Sequence, residues 1–76
     1  MVVEHDSHPS YYLISEGLEA MDVIDALGLN FNLGCVVKYV VRQGRKPNAP
    51  ALTDLRKARD CLDREIQRME AENGQA

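Results

Sequence analysis

The chain has no long hydrophobic run. Its apolar stretches are only a few residues long, whereas a membrane-spanning helix needs about 20 apolar residues. We therefore expect no transmembrane helix and no membrane partner. We also expect no signal peptide, because the first three residues are followed at once by Glu4, His5 and Asp6 rather than by an apolar segment. These absences predict a cytoplasmic protein.

Cysteine is scarce as well. Cys35 and Cys61 are the two cysteines of the chain, and they lack the CxxC spacing of redox and zinc motifs. We expect two reduced thiols. His5, Asp6 and His8 lie close together in the sequence, but they are too few for a structural zinc site. The sequence therefore predicts no bound metal.

The GxxxxGK[ST] motif of P-loop proteins is absent. The nearest segment, Gly44-Arg45-Lys46-Pro47, lacks the preceding strand, the second glycine and the hydroxyl residue that a P-loop requires. An ordinary P-loop kinase is thereby excluded.

No basic residue precedes Lys38, although the chain has nine of them. From Lys38 to Arg59 there are seven positive residues and one negative residue, Asp54, whereas the segment before Lys38 is acidic. The formal net charge of -3 therefore hides an acidic front and a basic middle.

The sequence argues against duplex DNA as a partner despite these basic residues. In a helix-turn-helix, the second helix would enter the major groove. Its start here carries Phe31, Asn32 and Leu33, without a basic residue. The negative net charge also argues against DNA.

A chain of 76 residues makes one domain. At this size folding buries only about 60% of the surface of the unfolded chain, so stability is expected to be marginal. Self-association would offset that deficit. With 45% hydrophobic and 28% charged residues, the composition is that of a folded globular protein.

The hydrophobic pattern predicts an all-α domain of three helices over residues 15–72, two short and one long. Residues 1–14 are expected to form an extended arm, because Pro9 biases His8 away from helical geometry. Residues 73–76 are expected to be frayed.

Each helix has its own boundary signals. The first helix is predicted to have Ser15 as its N-cap and to end at Gly28. Asn30 or Asn32 can cap the second helix, whose leucine and valines recur at helical spacing up to Gly44. The third helix is predicted from about Ala51 to Glu72.

The third helix carries an apolar stripe close to heptad spacing. Because this helix is longer than the other two, the stripe is expected to need a second subunit as its partner. Arg59 lies near the middle of the stripe. It could form an intersubunit ion pair with an acidic residue of the first helix, or contact a ligand. The stripe comprises Leu52, Leu55, Ala58, Leu62, Ile66 and Met69, and the interface is predicted at Leu55, Arg59, Leu62, Ile66 and Met69.

The end of the second helix is cationic. Lys38 and Arg42 are neighbours at i, i+4 on the side opposite the valines, and like charges at that spacing repel. One interpretation is a solvated face near a helix C-terminus, where cations suit the helix dipole. The other is an anion site, with Arg42, Arg45 and Lys46 converging on phosphate oxygens. Tyr39 could stack on a base or lie at the edge of the core.

Several motifs together resemble one family. They follow the pattern HPxxY, then LG..KY..R.GRK, then DL.KA...L, of the SaV-like family of small bacteriophage proteins of unknown function. The resemblance covers nearly the whole chain, in order. Its residues here are His8-Pro9-Ser10-Tyr11-Tyr12, Gly17-Leu18-Glu19 with Asp22, Leu29 to Gly34, Lys38-Tyr39, Arg42, Gly44-Arg45-Lys46, Asp54-Leu55, Lys57-Ala58 and Leu62.

The resemblance implies a phage accessory protein in the cytoplasm of the infected bacterium. A related domain occurs in a larger phage nucleotide kinase that lacks a P-loop and acts as an oligomer on deoxynucleoside monophosphates. The resemblance also implies candidate ligand-binding residues, namely His8, Tyr12, Asn32, Lys38, Tyr39, Arg42, Arg45, Lys46 and Lys57.

Our leading hypothesis is a helical homo-oligomer that binds a nucleotide or other phosphorylated small molecule without a cofactor. The basic residues from Lys38 to Lys46 would hold phosphate, Tyr39 or Tyr12 would stack on the base, and His8 would donate a hydrogen bond. One alternative is a nucleotide kinase-like enzyme with magnesium held by Glu19 or Asp22. Another is a module that docks on a host or phage protein.

Overall fold

The computed structural model describes residues 9–74, which are mostly helical, and the prediction of three helices is confirmed. Among these residues no helix is both long and apolar enough to cross a membrane. A 3-10 turn at Ser10–Tyr12 and a small two-stranded sheet come before the helices. The strands are β1 (Leu13–Ser15) and β2 (Leu18–Glu19), and the helices are α1 (Ala20–Leu27), α2 (Phe31–Arg42) and α3 (Ala51–Glu72).

The predicted start of the first helix at Ser15 is wrong, because the chain forms a hairpin there and α1 begins at Ala20. Of the predicted N-terminal arm, the described residues form the 3-10 turn, which contacts α2, and then β1. β1 and β2 pair in antiparallel fashion, with Leu13 opposite Glu19 and Ser15 opposite Leu18. The turn between them contains Gly17 at φ 78°, a left-handed conformation that a helix cannot continue. This glycine therefore makes a hairpin where the sequence had suggested a helical turn.

α1 begins and ends with specific caps. Glu19 and Asp22 form a capping box, in which each side chain accepts a backbone N–H of the other residue. At the other end Gly28 adopts φ 62° and donates its N–H to the carbonyls of Asp25 and Ile24. Gly28 thus terminates the helix as predicted.

α2 is capped by Asn30, whose Oδ1 accepts the N–H of Leu33 at 2.9 Å. It packs most extensively on α3 and also contacts α1. At the α1 crossing the buried Gly34 approaches Ile24 so closely that a Cβ at position 34 would lie 3.3 Å from Ile24 Cγ2. Close approach of the two helices therefore depends on this glycine.

The helix pair α2 and α3 is antiparallel. The first residues of α2 contact Glu65, well along α3, whereas Arg42 at its end contacts Asp54 in the first turn of α3. Cys35 and Cys61 lie in these two helices as free, half-buried thiols, as expected. Burial raises the pKa of the Cys61 thiol. The connector at residues 43–50 turns the chain back between the helices.

α3 presents two different faces. The face toward α2 contains the buried residues Asp54, Ala58 and Glu65. Ala58, which the heptad spacing assigns to the apolar stripe, therefore packs against α2 instead. The other face is apolar and open, with Leu52, Leu55, Leu62, Ile66 and Met69 exposed by 43–56%.

Candidate anion-binding site

Arg42 and Asp54 form a buried ion pair at the C-terminal end of α2. Arg42 Nη2 lies 2.6 Å and Nε 3.2 Å from Asp54 Oδ1, and the two residues are 6% and 0% exposed. The hydrogen bonds from Arg42 hold the pKa of Asp54 below its ordinary value, and the pairing raises the pKa of Arg42. Arg42 is therefore buried and paired, and does not lie on a solvated face as one interpretation of the sequence had it, because the returning α3 brings Asp54 against it.

The Arg42 guanidinium has further contacts inside the fold. Its Nη1 donates to the Tyr12 hydroxyl at 3.4 Å, and its Cζ lies 4.9 Å from the centre of the Tyr39 ring. Within residues 9–74, Asp54 Oδ2 has no hydrogen-bond partner. Because Arg42 contacts both Tyr12 and Tyr39 and is itself held by Asp54, it acts as an internal support for the two tyrosines.

Arg45 is also engaged in internal contacts. It donates from Nη1 to the Val41 carbonyl at 3.2 Å and from Nη2 to the Ser10 carbonyl at 3.1 Å. The second bond joins the 3-10 turn to the end of α2. Arg45 therefore positions Tyr11 and Tyr12, which follow Ser10.

Three lysines surround these aromatic rings. The Nζ of Lys38 lies 5.5 Å from the Tyr12 ring centre. Lys46 Nζ is 5.8 Å from Tyr11 and Lys57 Nζ is 5.6 Å from Tyr39. In the part of the chain that the structure describes, none of the three forms a salt bridge. We call this set the lysine–tyrosine cluster; it comprises Tyr11, Tyr12, Lys38, Tyr39, Lys46 and Lys57.

The tyrosines pack on one another as well as on cations. The Tyr11 and Tyr12 rings meet edge to face, with 4.8 Å between their centres. Lys46 and Lys57 are close enough to Asp54 for their charges to lower its pKa further. The cluster is thus a cationic surface with aromatic rings, built over the Arg42–Asp54 pair.

The structure brings most of the predicted ligand-binding residues together. Tyr12, Lys38, Tyr39, Lys46 and Lys57 belong to the cluster, and Arg42 and Arg45 support it. Tyr11 was not predicted, because it occupies an unspecified position of the HPxxY motif, whose tyrosine is Tyr12. His8 lies outside the described residues.

Asn32 is the predicted ligand-binding residue that lies elsewhere. Its Nδ2 donates to Glu65 Oε1 at 3.2 Å, at the opposite end of α2 from Lys46. Asn30 donates to Glu65 Oε2 at 2.9 Å, and Arg68 donates from Nη2 at 2.6 Å. These bonds, from Arg68 above all, lower the pKa of the buried Glu65 to about 2. No local sequence pattern indicates this polar network, because its members come from two helices that meet only in the fold.

A shallow apolar groove lies beside the cluster. Its volume is about 230 Å³, and Met21, Ile24, Leu29 and Phe31 contribute to its lining. Lys38 borders both this groove and the cluster. Because ligand pockets commonly enclose about 300–1,000 Å³, the groove by itself is small for a nucleotide.

The two acidic residues considered for magnesium have structural partners. Asp22 Oδ2 accepts the Glu19 N–H at 2.8 Å, and the Glu19 side chain accepts the Asp22 N–H in the same capping box. Residues 9–74 contain no group of three or more histidine, cysteine or acidic side chains arranged to hold a metal ion.

A family model for proteins of unknown function, DUF3310, matches residues 7–63, which is more than half of the chain. The chain belongs to the DUF3310 family. The DUF3310 match includes every residue of the lysine–tyrosine cluster and ends within α3. Neither a curated protein nor a solved structure gives a significant match. DUF3310 carries no stated activity, so the phage origin and the relation to a nucleotide kinase stay predictions.

Proposed function

We propose that this protein binds a nucleotide or other phosphorylated small molecule at the lysine–tyrosine cluster. The observation that supports the proposal is the grouping of Lys38, Lys46 and Lys57 around tyrosine rings, without a salt bridge to any of them among residues 9–74. Phosphate supplies the negative charge that such a group lacks. A base supplies a flat surface for an aromatic ring.

The contacts suggest a division of roles between arginines and lysines. Arg42 and Arg45 use their donors within the fold, so their role is to hold the tyrosines in place. The lysines are compact charges on flexible stems and can turn toward phosphate. Their attraction to tyrosine is worth only about 0.5–1 kcal/mol at exposed sites. A ligand can therefore displace a lysine from a tyrosine ring, so that its phosphate binds the lysine and its base stacks on the ring.

Calorimetry and thermal shift against inorganic phosphate and a panel of mono-, tri- and cyclic nucleotides test the proposal. We expect at least one nucleotide to bind and to raise Tm. Substituting Lys38, Lys46 or Lys57 by alanine should each weaken binding about tenfold, the loss of one hydrogen bond to a charged group. Arg64→Ala is the matched control, because Arg64 is an exposed cation of α3 outside the cluster.

Two results would overturn the proposal. One is the absence of binding across the whole panel. The other is binding that survives the triple lysine substitution in a folded protein. Arg42→Ala is unsuited as the main test, because it would leave the buried Asp54 without its partner.

The proposal places the protein in the cytoplasm of a phage-infected bacterium, in keeping with the resemblance described above. Phosphoryl transfer is not part of the proposed function. The carboxylates of Glu19 and Asp22 serve as caps of α1, and no observation on the described residues favours catalysis.

We also propose that the functional unit is a homo-oligomer assembled through the open face of α3. Five large apolar side chains lie exposed along this one face. Contiguous apolar surfaces of this kind mark interaction sites in proteins. Sedimentation velocity of the purified protein should show a species larger than the 8.5 kDa chain, and a monomer at all concentrations would contradict this part of the proposal.

A further inference from the structure

The open face of α3 has a regular spacing that specifies more than association. Its central residues alternate at intervals of three and four, the pattern of a coiled-coil seam. The seam runs for about 26 Å at 1.5 Å per residue. We call these residues the α3 seam; they are Leu52, Leu55, Arg59, Leu62, Ile66 and Met69.

We propose that two copies of the chain pair along the α3 seam in antiparallel orientation, about a twofold axis that passes between Arg59 and Leu62. This inference rests on the proposed self-association and specifies its geometry. The spacing of the seam residues is the same in both chain directions, so in an antiparallel pair each seam residue meets a seam residue of the second copy. Leu52 faces the partner's Met69, Leu55 faces the partner's Ile66, and Arg59 faces the partner's Leu62.

Charge distinguishes this arrangement from a parallel one. In a parallel pair, Arg59 would lie against the partner's Arg59 in the middle of an apolar seam, where like charges repel. In the antiparallel pair, Arg59 comes within one helical turn of the partner's Asp63. The acidic partner of Arg59 is then on α3, and not on the first helix as the sequence analysis suggested.

The edge of the seam supports the same orientation. α2 covers one edge, where Ala58 and Glu65 are buried, so a second copy can reach only the opposite edge. That edge carries Arg56 and Asp63, both exposed. In antiparallel pairing Arg56 lies beside the partner's Asp63, and the twofold axis makes this pair twice. Complementary charges of this kind fix the register of helix pairs.

Disulfide trapping tests the orientation. Cysteines are introduced one at a time into a chain in which Cys35 and Cys61 are replaced by alanine, after circular dichroism has shown that this chain folds. Antiparallel pairing predicts that Leu52→Cys and Met69→Cys do not cross-link with themselves but cross-link when mixed. Leu62→Cys, close to the axis, should cross-link with itself. Efficient self-cross-linking of both Leu52→Cys and Met69→Cys would overturn the antiparallel assignment.

A charge exchange gives a second readout. Asp63→Arg should weaken self-association about tenfold, since it removes two ion pairs and introduces repulsion. Adding Arg56→Asp should restore affinity to within about threefold, because the exchanged charges face each other only in the antiparallel pair. Arg64→Asp, outside the seam, should leave affinity unchanged. No rescue by the double variant would overturn the orientation, whereas a monomeric wild-type protein would overturn self-association itself.

Discussion

At the scale of single residues, two buried carboxylates of α3 hold α2 at its two ends. Asp54 receives the guanidinium of Arg42, and Glu65 receives donors from Asn30, Asn32 and Arg68. Of the described hydrophobic residues, only Ala20 and Ala58 are buried, and both are small. The helix pair therefore depends on buried polar bonds more than domains with a large apolar core do.

Removal of one partner of the Arg42–Asp54 pair should therefore unfold much of the protein. Breaking a buried ion pair leaves an uncompensated charge, which is strongly destabilising, and a chain of this length has little stability to lose. We expect Asp54→Ala to lower Tm by more than about 10 °C. The double variant Arg42→Met, Asp54→Leu should show a much smaller decrease in Tm, because it buries no charge. Thermal unfolding checks both, and equal losses in the two variants would contradict this account.

Glu65 makes stability depend on acid. Its pKa is lowered to about 2 in the folded protein, so the unfolded chain binds the proton more readily. The stabilisation is complete above the ordinary glutamate pKa of about 4.3 and is lost as the pH falls toward 2. Asp54, whose pKa is also lowered, acts in the same direction.

Urea unfolding between pH 7 and pH 2 measures this dependence. The midpoint should stay nearly constant from pH 7 to about pH 5 and then fall. Glu65→Gln should be less stable at pH 7 and should lose less on acidification. Glu70→Gln, at an exposed position of the same helix, is the control and should behave as wild type. A Glu65→Gln profile parallel to that of wild type would show that Glu65 does not carry the effect.

At the scale of elements, local signals predicted some boundaries and missed others. The Ala51–Glu72 helix, the Asn30 cap and the Gly28 stop follow from local spacing and capping. The hairpin before α1 was missed because Ser15 and Glu16 also suit a helix start. Only the left-handed Gly17 decides between the two.

The candidate site was predictable in composition but not in its roles. The clustering of Lys38, Lys46 and Lys57 follows from the motif segments, which the helix pair brings together. Arg42 is buried because α3 packs against it after the connector. The position of α3 depends on the tertiary fold, so no local sequence pattern predicts this burial. Asp54 is the one negative residue between Lys38 and Arg59. In the fold it neutralises Arg42, so Arg42 is not available as a free cation of the basic region.

The end of α1 offers a test of an element boundary. Gly28 adopts φ 62° with open space around its Cα, so Gly28→Ala adds backbone strain without a clash. A non-glycine residue in this region costs about 1–2 kcal/mol. Gly74 has a similar φ of 76°, but it follows the last helix, so in the control variant Gly74→Ala the backbone can adopt another conformation at little cost. We expect a drop in the free energy of unfolding for Gly28→Ala and almost none for Gly74→Ala, measured in urea.

At the scale of the whole molecule, the described chain is thin, with extents of 51 × 27 × 19 Å. The five large apolar side chains of α3 are exposed to solvent, whereas the residues that α3 buries are Asp54, Ala58 and Glu65. Burying the α3 seam against a second copy would give the molecule the apolar core that one chain lacks. Folding and assembly are then linked.

Such linkage makes thermal stability depend on protein concentration, because a partner that binds only the folded state stabilises it by mass action. We expect the Tm of the wild-type protein to rise as the chain concentration is raised about a hundredfold. Leu62→Asp places a charge in the middle of the seam and should give a lower Tm that no longer depends on concentration. Gln67→Asp, on the polar side of the same helix, should retain the dependence. A wild-type Tm that is constant across this range would mean that the apolar face of α3 does not stabilise the fold through a second copy.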